Sequence, residues 1–377
     1  MKVIGKADVA VVGGGIVGLA HAWQAAVRGY SVVLFERDAI AQGASVRNFG
    51  MILSLGAPPG ETHEQALRSL SLWRQLLLDA GLWYRESGAM MLAYHQDEMD
   101  AMCELADSDM GHEYGCTWMP SKAIAAKYSA VNTNELLGGL WCRDVLLVDP
   151  REVMARVPAW LSEEYGVILR YGTEVKSVSS QNILTPHETW AIERTIVCPG
   201  ADLDTLFPDV LSEASLTYCR LQMLRTVAQP THWRLGPAIL GGLSLRHYPV
   251  FKSCKATTTV ARRVARDNPE LDRWGIHIMA VQNGRNEIVI GDSHEYNSAP
   301  KWQQRPEIAA LLLQQLAGLT SPPTLMLDHK WTGVYVKHAS RAAVVLRPQP
   351  TVRVITGLGG LGMTLSLALA GDVLTAW

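Results

Sequence analysis

The chain has 377 residues, 48% of them hydrophobic, with a formal charge of −2. That is enough length and apolar content for two cores, and there is no basic excess to draw nucleic acid or an anionic membrane surface. The six cysteines lie far apart, with no C-x-x-C pair and no histidine at zinc-finger spacing, which excludes a disulfide scaffold or zinc module and fits reduced thiols in a cytoplasmic protein.

The opening MKVIGKADVAVVGGGIVGLA is broken by Asp8 and by glycines, so it does not read as a secretory signal. Within it, residues 9–12 form a β-branched run suited to a buried parallel strand. Gly13, Gly15 and Gly18 follow in G-x-G-x-x-G spacing, and an apolar helix runs on to about Val27. The first glycine permits the turn, the second lets backbone approach a pyrophosphate, and the third lets helix and strand pack closely. Residues 31–35 read as the second strand, ending in Glu36, where a carboxylate can bind ribose hydroxyls and favours FAD or NAD over NADP.

Further β-α alternation, expected of a nicotinamide enzyme, does not follow. A polar, glycine-marked segment over 43–50 instead runs into an apolar stretch. Leu67, Leu70, Trp73 and Leu77 then recur at helical spacing, and Pro150 opens another helix bearing Met154, Val157 and Leu161. Residues 81–148 and 213–325 look strand-rich, with runs at 89–94, 137–142, 276–281 and 287–290 and a turn at Asn283-Gly284. Near the C-terminus ITGLGGLGMTLSLALAG forms a second glycine-rich entrance to a helix; its glycines, Thr356, Thr364 and Ser366 argue against a membrane span.

These motifs, in this order, resemble the FAD-dependent amine and amino-acid oxidoreductases related to D-amino-acid oxidase, especially the glycine oxidase and sarcosine oxidase branch. The resemblance implies a Rossmann-like, glutathione-reductase-like α/β domain for FAD, formed by residues 1–80, 149–212 and 326–377. A mixed, mainly antiparallel α+β domain for substrate would take 81–148 and 213–325. It places the Gly13, Gly15, Gly18, Glu36 and Arg37 segment at the dinucleotide, and Ala44, Ser45, Arg47 and Asn48 along the flavin. Val175 in VILRYGTEV would hold the adenine side, Gly200 in TIVCPGAD would lie beside the cofactor, and Gly359, Gly360, Gly362, Met363 and Thr364 would lie at the redox end. There a helix N-terminus would face the charge that develops on reduction. Sarcosine-oxidase-like relatives attach FAD through a cysteine upstream of the closing motif; KWTGVYVKHASRAAVVL has none, so FAD is expected to be non-covalent and no metal is expected.

In such enzymes a neutral amine gives up hydride to the flavin and water hydrolyses the imine, so substrate-binding groups matter more than a catalytic base. Three stretches supply candidates. His277 falls where glycine oxidase carries a pocket tyrosine. RHYPVF, read as a strand, would turn Arg246 and Tyr248 to one side and His247 to the other. In WTGVYVKH, Tyr335 stands where relatives place a carboxylate-clamping arginine, with Lys337 two residues on.

Losing that arginine argues against ordinary amino acids. GASVRNFGMI and ALRSLSLW…AGLWYRESGAM further resemble a subgroup associated with phosphonate breakdown, implicated in oxidising 2-aminoethylphosphonate or its N-methyl derivative to phosphonoacetaldehyde. Dispersed cations suit a tetrahedral dianion. The alternatives are a glycine-, sarcosine- or D-amino-acid-type oxidase and, from another class, a non-enzymatic flavoprotein redox sensor. The expected partner is a small, anionic amine, with no nucleic acid and no membrane; the sequence leaves the oligomeric state and the electron acceptor open.

Overall fold

The computed structural model describes residues 3–297 and 304–377. The first strand, β1 (Val3–Val12), lies in the middle of a parallel set. On one side it pairs with β2 (Val32–Phe35), which pairs in turn with Ile168–Arg170; on the other it pairs with Thr189–Val197, which pairs with Val352–Thr356. The β2 strand is buried on both faces, as parallel strands under helices are. Helix α1 (Ile16–Val27), α2 (Glu61–Asp79), the helix Pro150–Tyr165 and the C-terminal helix Gly362–Thr375 share one core built on Trp23, Trp73, Trp160 and Leu367. Val175 belongs to a separate core on the opposite side of the sheet, with Phe35 and Trp190.

The second sheet has nine strands and is mixed but mainly antiparallel, the pairing of Ala89–Ala93 with Ala238–Gly241 being parallel. Two expectations need correction. The strand Leu327–His338 pairs along its length with Leu216–Thr226 in this second sheet, although residues 326–377 were assigned to the cofactor domain. Helices Gln96–Ala106, Ala256–Asp267 and Pro306–Leu319 interrupt a region that read as strands. Val260 and Val264 bury one helical face there, while Arg262 stays exposed and Arg263 pairs with Asp97 and Glu98.

A small sheet of Met51–Leu53, Tyr84–Glu86 and Val145–Val148 ties the two regions together. Among the described residues no helix is long and apolar enough to cross a membrane.

Candidate active site

At the β1–α1 junction the glycines are required by geometry. Gly13 has φ +109°, and a Cβ there would lie 2.3 Å from the Cys198 carbonyl; at Gly18 it would lie 1.8 Å from the Gly13 carbonyl. Glu36, at the end of β2, accepts the Gly14 N–H at 2.6 Å and the Asp38 N–H at 3.0 Å. An ionised carboxylate still has lone pairs left for ribose hydroxyls. Gly200 turns with φ +62° and an open Cβ direction, just after Cys198 bonds back to Val12. Arg37 is committed elsewhere, forming a surface ion pair with Asp202 at 2.7 Å.

The 43–50 segment forms a 3-10 turn at Ala44–Val46. Ser45 Oγ accepts the Ile16 N–H at 2.9 Å, which brings this turn to the N-terminus of α1. Asn48 holds the turn from within, donating to the Ala44 and Ser45 carbonyls and accepting the Gly50 N–H. Arg47 donates to the Gln42 carbonyl and, at 2.8 Å, to the Thr332 carbonyl of the second sheet.

At the C-terminal junction Gly359 has φ +56°, and the helix Gly362–Thr375 starts without a side-chain cap. Nothing lies within 4 Å of a Cβ built on Gly362. Met363 and Thr364 face the interior: the Met363 carbonyl accepts Trp73 Nε1–H at 2.7 Å and Thr364 Oγ1 accepts Leu53 N–H at 3.4 Å.

The second sheet meets this junction through Tyr335 and Lys337. A Cβ on Gly359 would lie 3.2 Å from Lys337 Cβ and 3.8 Å from the Tyr335 ring, and one on Gly360 would lie 3.9 Å from Tyr335 Oη. Behind Tyr335 stand three histidines. His247 and His277 have ring centroids 4.3 Å apart, His277 and His294 4.7 Å, and His247 and His294 5.1 Å. Asp292 lies beneath them, with Oδ1 2.7 Å from His277 Nε2, a close contact that is not aligned as a hydrogen bond. Backbone pairing between residues 277 and 292 fixes this approach.

Burial holds His294 down to about 4, and burial together with the neighbouring rings lowers His247 further. Burial opposes ionisation of Asp292, but His277 and His294 outweigh it and keep its carboxyl below the usual range. Burial also pushes the Cys219 thiol up to about 12 and raises Tyr248 and Tyr335.

RHYPVF is not a strand. It spans two 3-10 turns, Gly242–Arg246 and Pro249–Ser253, because Pro249 fixes the first position of the second turn. His247 and Tyr248 therefore both reach His277, with Tyr248 edge-on at 6.3 Å. Arg246 is turned away, bound to Asp272 at 2.7 Å and to the Ile276 carbonyl, and is no free pocket cation. Lys337 lies with Nζ 4.3 Å over the Tyr296 ring. Sequence reading missed Asp292 and His294; their i, i+2 spacing after the strand Ile288–Gly291 was the available signal.

The junction residues fit an FAD. Tyr171 Oη is buried without a partner, 3.0 Å from the Cβ position of Gly14, where a ligand hydroxyl or phosphate would satisfy it. The open space at Gly362 beside Tyr335 and Lys337 provides room at the other end.

Curated relatives share part of the chain. A D-amino acid dehydrogenase of Helicobacter pylori (strain ATCC 700392 / 26695) is 22% identical over 254 residues, 52% of this chain and 60% of that protein. A glycine oxidase of Geobacillus kaustophilus (strain HTA426) is 26% identical over 209 residues, 52% of this chain and 54% of that protein. The chain thus matches little more than half the length of these relatives. In fold, the glycine oxidase from Bacillus cereus ATCC 14579 superposes with a TM-score of 0.78 at 16% identity, covering 98% of this chain and 95% of the other. Residues 8–377 match the family described as FAD dependent oxidoreductase, with both glycine junctions inside the match, and the chain belongs to that family.

Proposed function

We propose that this protein oxidatively deaminates a small amine carrying an anionic group, 2-aminoethylphosphonate or its N-methyl derivative, to phosphonoacetaldehyde. The observation that carries this reading is the clustering of His247, His277 and His294 behind Tyr335, whose ring, with Lys337, borders Gly359. Bound FAD supplies the hydride acceptor for such a reaction. The protein's own task is to hold the amine-bearing carbon toward the junction and the anionic group toward the histidines. Tyr335 and Tyr248, kept protonated by burial, offer hydrogen bonds and exclude water from that path. The carbon loses a hydride and the amine a proton; water then adds to the imine and releases ammonia or methylamine with the aldehyde.

Support for FAD held without a covalent bond comes from the absence of cysteine in residues 330–346. The surroundings are inferred to be cytoplasmic from the free cysteines, Cys116 and Cys142 staying reduced with their sulfurs 3.4 Å apart. A second reading, oxidation of an amino acid such as glycine, draws on the glycine oxidase and D-amino acid dehydrogenase among the relatives.

Anaerobic titration of the yellow holoprotein with aminoethylphosphonate, its N-methyl form, glycine and sarcosine separates them. Flavin bleaching by the phosphonates at far lower concentration is the expected result. Bleaching by the carboxylates alone removes the phosphonate reading, and no bleaching by any amine favours a redox sensor.

A further inference from the structure

The histidine cluster is an unusual object to bury. His277 and Asp292 have side chains 5% and 6% exposed and His294 9%, and the three rings crowd within 5.1 Å of one another. His247 Nε2 and His294 Nδ1 are buried and have no hydrogen-bond partner. A buried polar atom costs about 1–3 kcal/mol when unsatisfied, so two together in one cluster point to a group that arrives from outside.

The surroundings set the charge balance that such a group would meet. Arg246 is neutralised by Asp272, and Glu295 by Arg220 and Arg305, so neither reaches into the cluster as a free charge. Tyr248, Tyr296 and Tyr335 and the Cys219 thiol stay protonated because burial raises them. Lys337 on the strand Leu327–His338 and Asp292 after the strand Ile288–Gly291 are the remaining charges among the described groups that face the rings. They oppose one another, so the ligand-free cluster can stay neutral.

An incoming anion changes this balance. It gives each imidazole N–H an acceptor and replaces repulsion between crowded protonated rings with attraction to a shared counter-ion. Asp292 already lies 3.9 Å from His294, where its charge opposes the lowering that burial imposes on that ring.

We propose that His247, His277, His294 and Asp292 form a proton-linked anion site, in which the substrate's anionic group binds together with a proton taken up by the histidine cluster. His247 and His294 donate to the anion, and Asp292 is the positioning residue that stabilises the protonated state. The proposal rests on the reading that the substrate is anionic, and it adds a pH-dependent affinity that the reading alone does not require.

Sulfate is the probe, because it is tetrahedral and does not titrate between pH 6 and 9, so any proton taken up belongs to the protein. The holoprotein is titrated with sulfate in EDTA by calorimetry, in two buffers of different ionisation heat, while flavin absorbance reports occupancy. The expected result is uptake of about one proton per sulfate and an affinity that falls about tenfold per pH unit above neutrality. Asp292→Asn should weaken binding at pH 6 and flatten its pH dependence, and His294→Gln should lower the proton count.

Sulfate binding with no proton uptake and a flat pH profile overturns the proposal while leaving the anionic-substrate reading standing, provided that aminoethylphosphonate still bleaches the flavin. Failure of sulfate to bind overturns it too. So does binding that requires an added divalent metal, which would assign the three histidines to an ion. Bleaching by carboxylates alone in the flavin titration identifies a failure of the underlying reading.

Discussion

At the scale of single residues, burial decides what an ionisable group can do, and His21 shows this away from the active site. It sits on α1, completely buried, with Nδ1 2.7 Å from the Val17 carbonyl and Nε2 without a partner. Burial lowers it from the ordinary value to about 4. The folded protein thus prefers the neutral ring, whereas the unfolded chain protonates near about pH 6.5. The resulting stabilisation is fully present above that pH and disappears as pH falls to about 4. By linkage it amounts to about 3 kcal/mol across that window. Urea unfolding at pH 7 and pH 5 should therefore show a lower midpoint in acid, and His21→Gln should flatten the difference. An equal acid loss in the variant would assign the effect to other groups.

Among the elements, the C-terminal helix offers the sharpest separation of folding from cofactor binding. Gly362 has helical dihedrals, φ −53° and ψ −49°, and empty space around its Cβ position. An alanine in an exposed helical position is favoured over glycine by about 1 kcal/mol. Gly362→Ala should therefore keep or raise the urea midpoint of the apoprotein while weakening FAD binding by tenfold or more, measured by flavin fluorescence. Unchanged FAD affinity would show that the space does not belong to the cofactor.

Such junctions were legible in the sequence because a glycine requirement is local: a positive φ at Gly13, or a carbonyl 1.8 Å from the Cβ position of Gly18, leaves the same residue type wherever the motif occurs. The sheet of the strand Leu327–His338 was not legible, since its partner lies about a hundred residues away in Leu216–Thr226. RHYPVF misled because Tyr, Val and Phe favour strands, while Pro249 and the preceding 3-10 turn control the backbone. The histidine cluster was half visible for a related reason: His247, His277 and His294 come from three separate segments, and only packing brings them together.

On the scale of the whole molecule, the cofactor segments and the second sheet are joined by contacts that cross between them. Arg47, in the turn expected to pass along the flavin, donates to the Thr332 carbonyl, and Trp331 Nε1–H donates back to the Arg47 carbonyl at 3.2 Å. The strand carrying these residues continues to Tyr335 and Lys337 beside Gly359. A ligand that binds only the folded state stabilises it by mass action, about 2.7 kcal/mol at a hundredfold excess over its dissociation constant. Here that stabilisation should spread into the second sheet through the 331–332 contact. Hydrogen exchange tests the route: FAD should slow exchange in peptides covering Leu216–Thr226 and Leu327–His338 as well as those covering α1 and Gly362–Thr375. In Arg47→Ala, FAD added to saturation should still protect α1 and the C-terminal helix but protect the second-sheet strands several-fold less. Equal protection of all four segments in the variant would mean that the two parts are coupled through the Gly359 junction instead, and that the Arg47 guanidinium only orders its own turn.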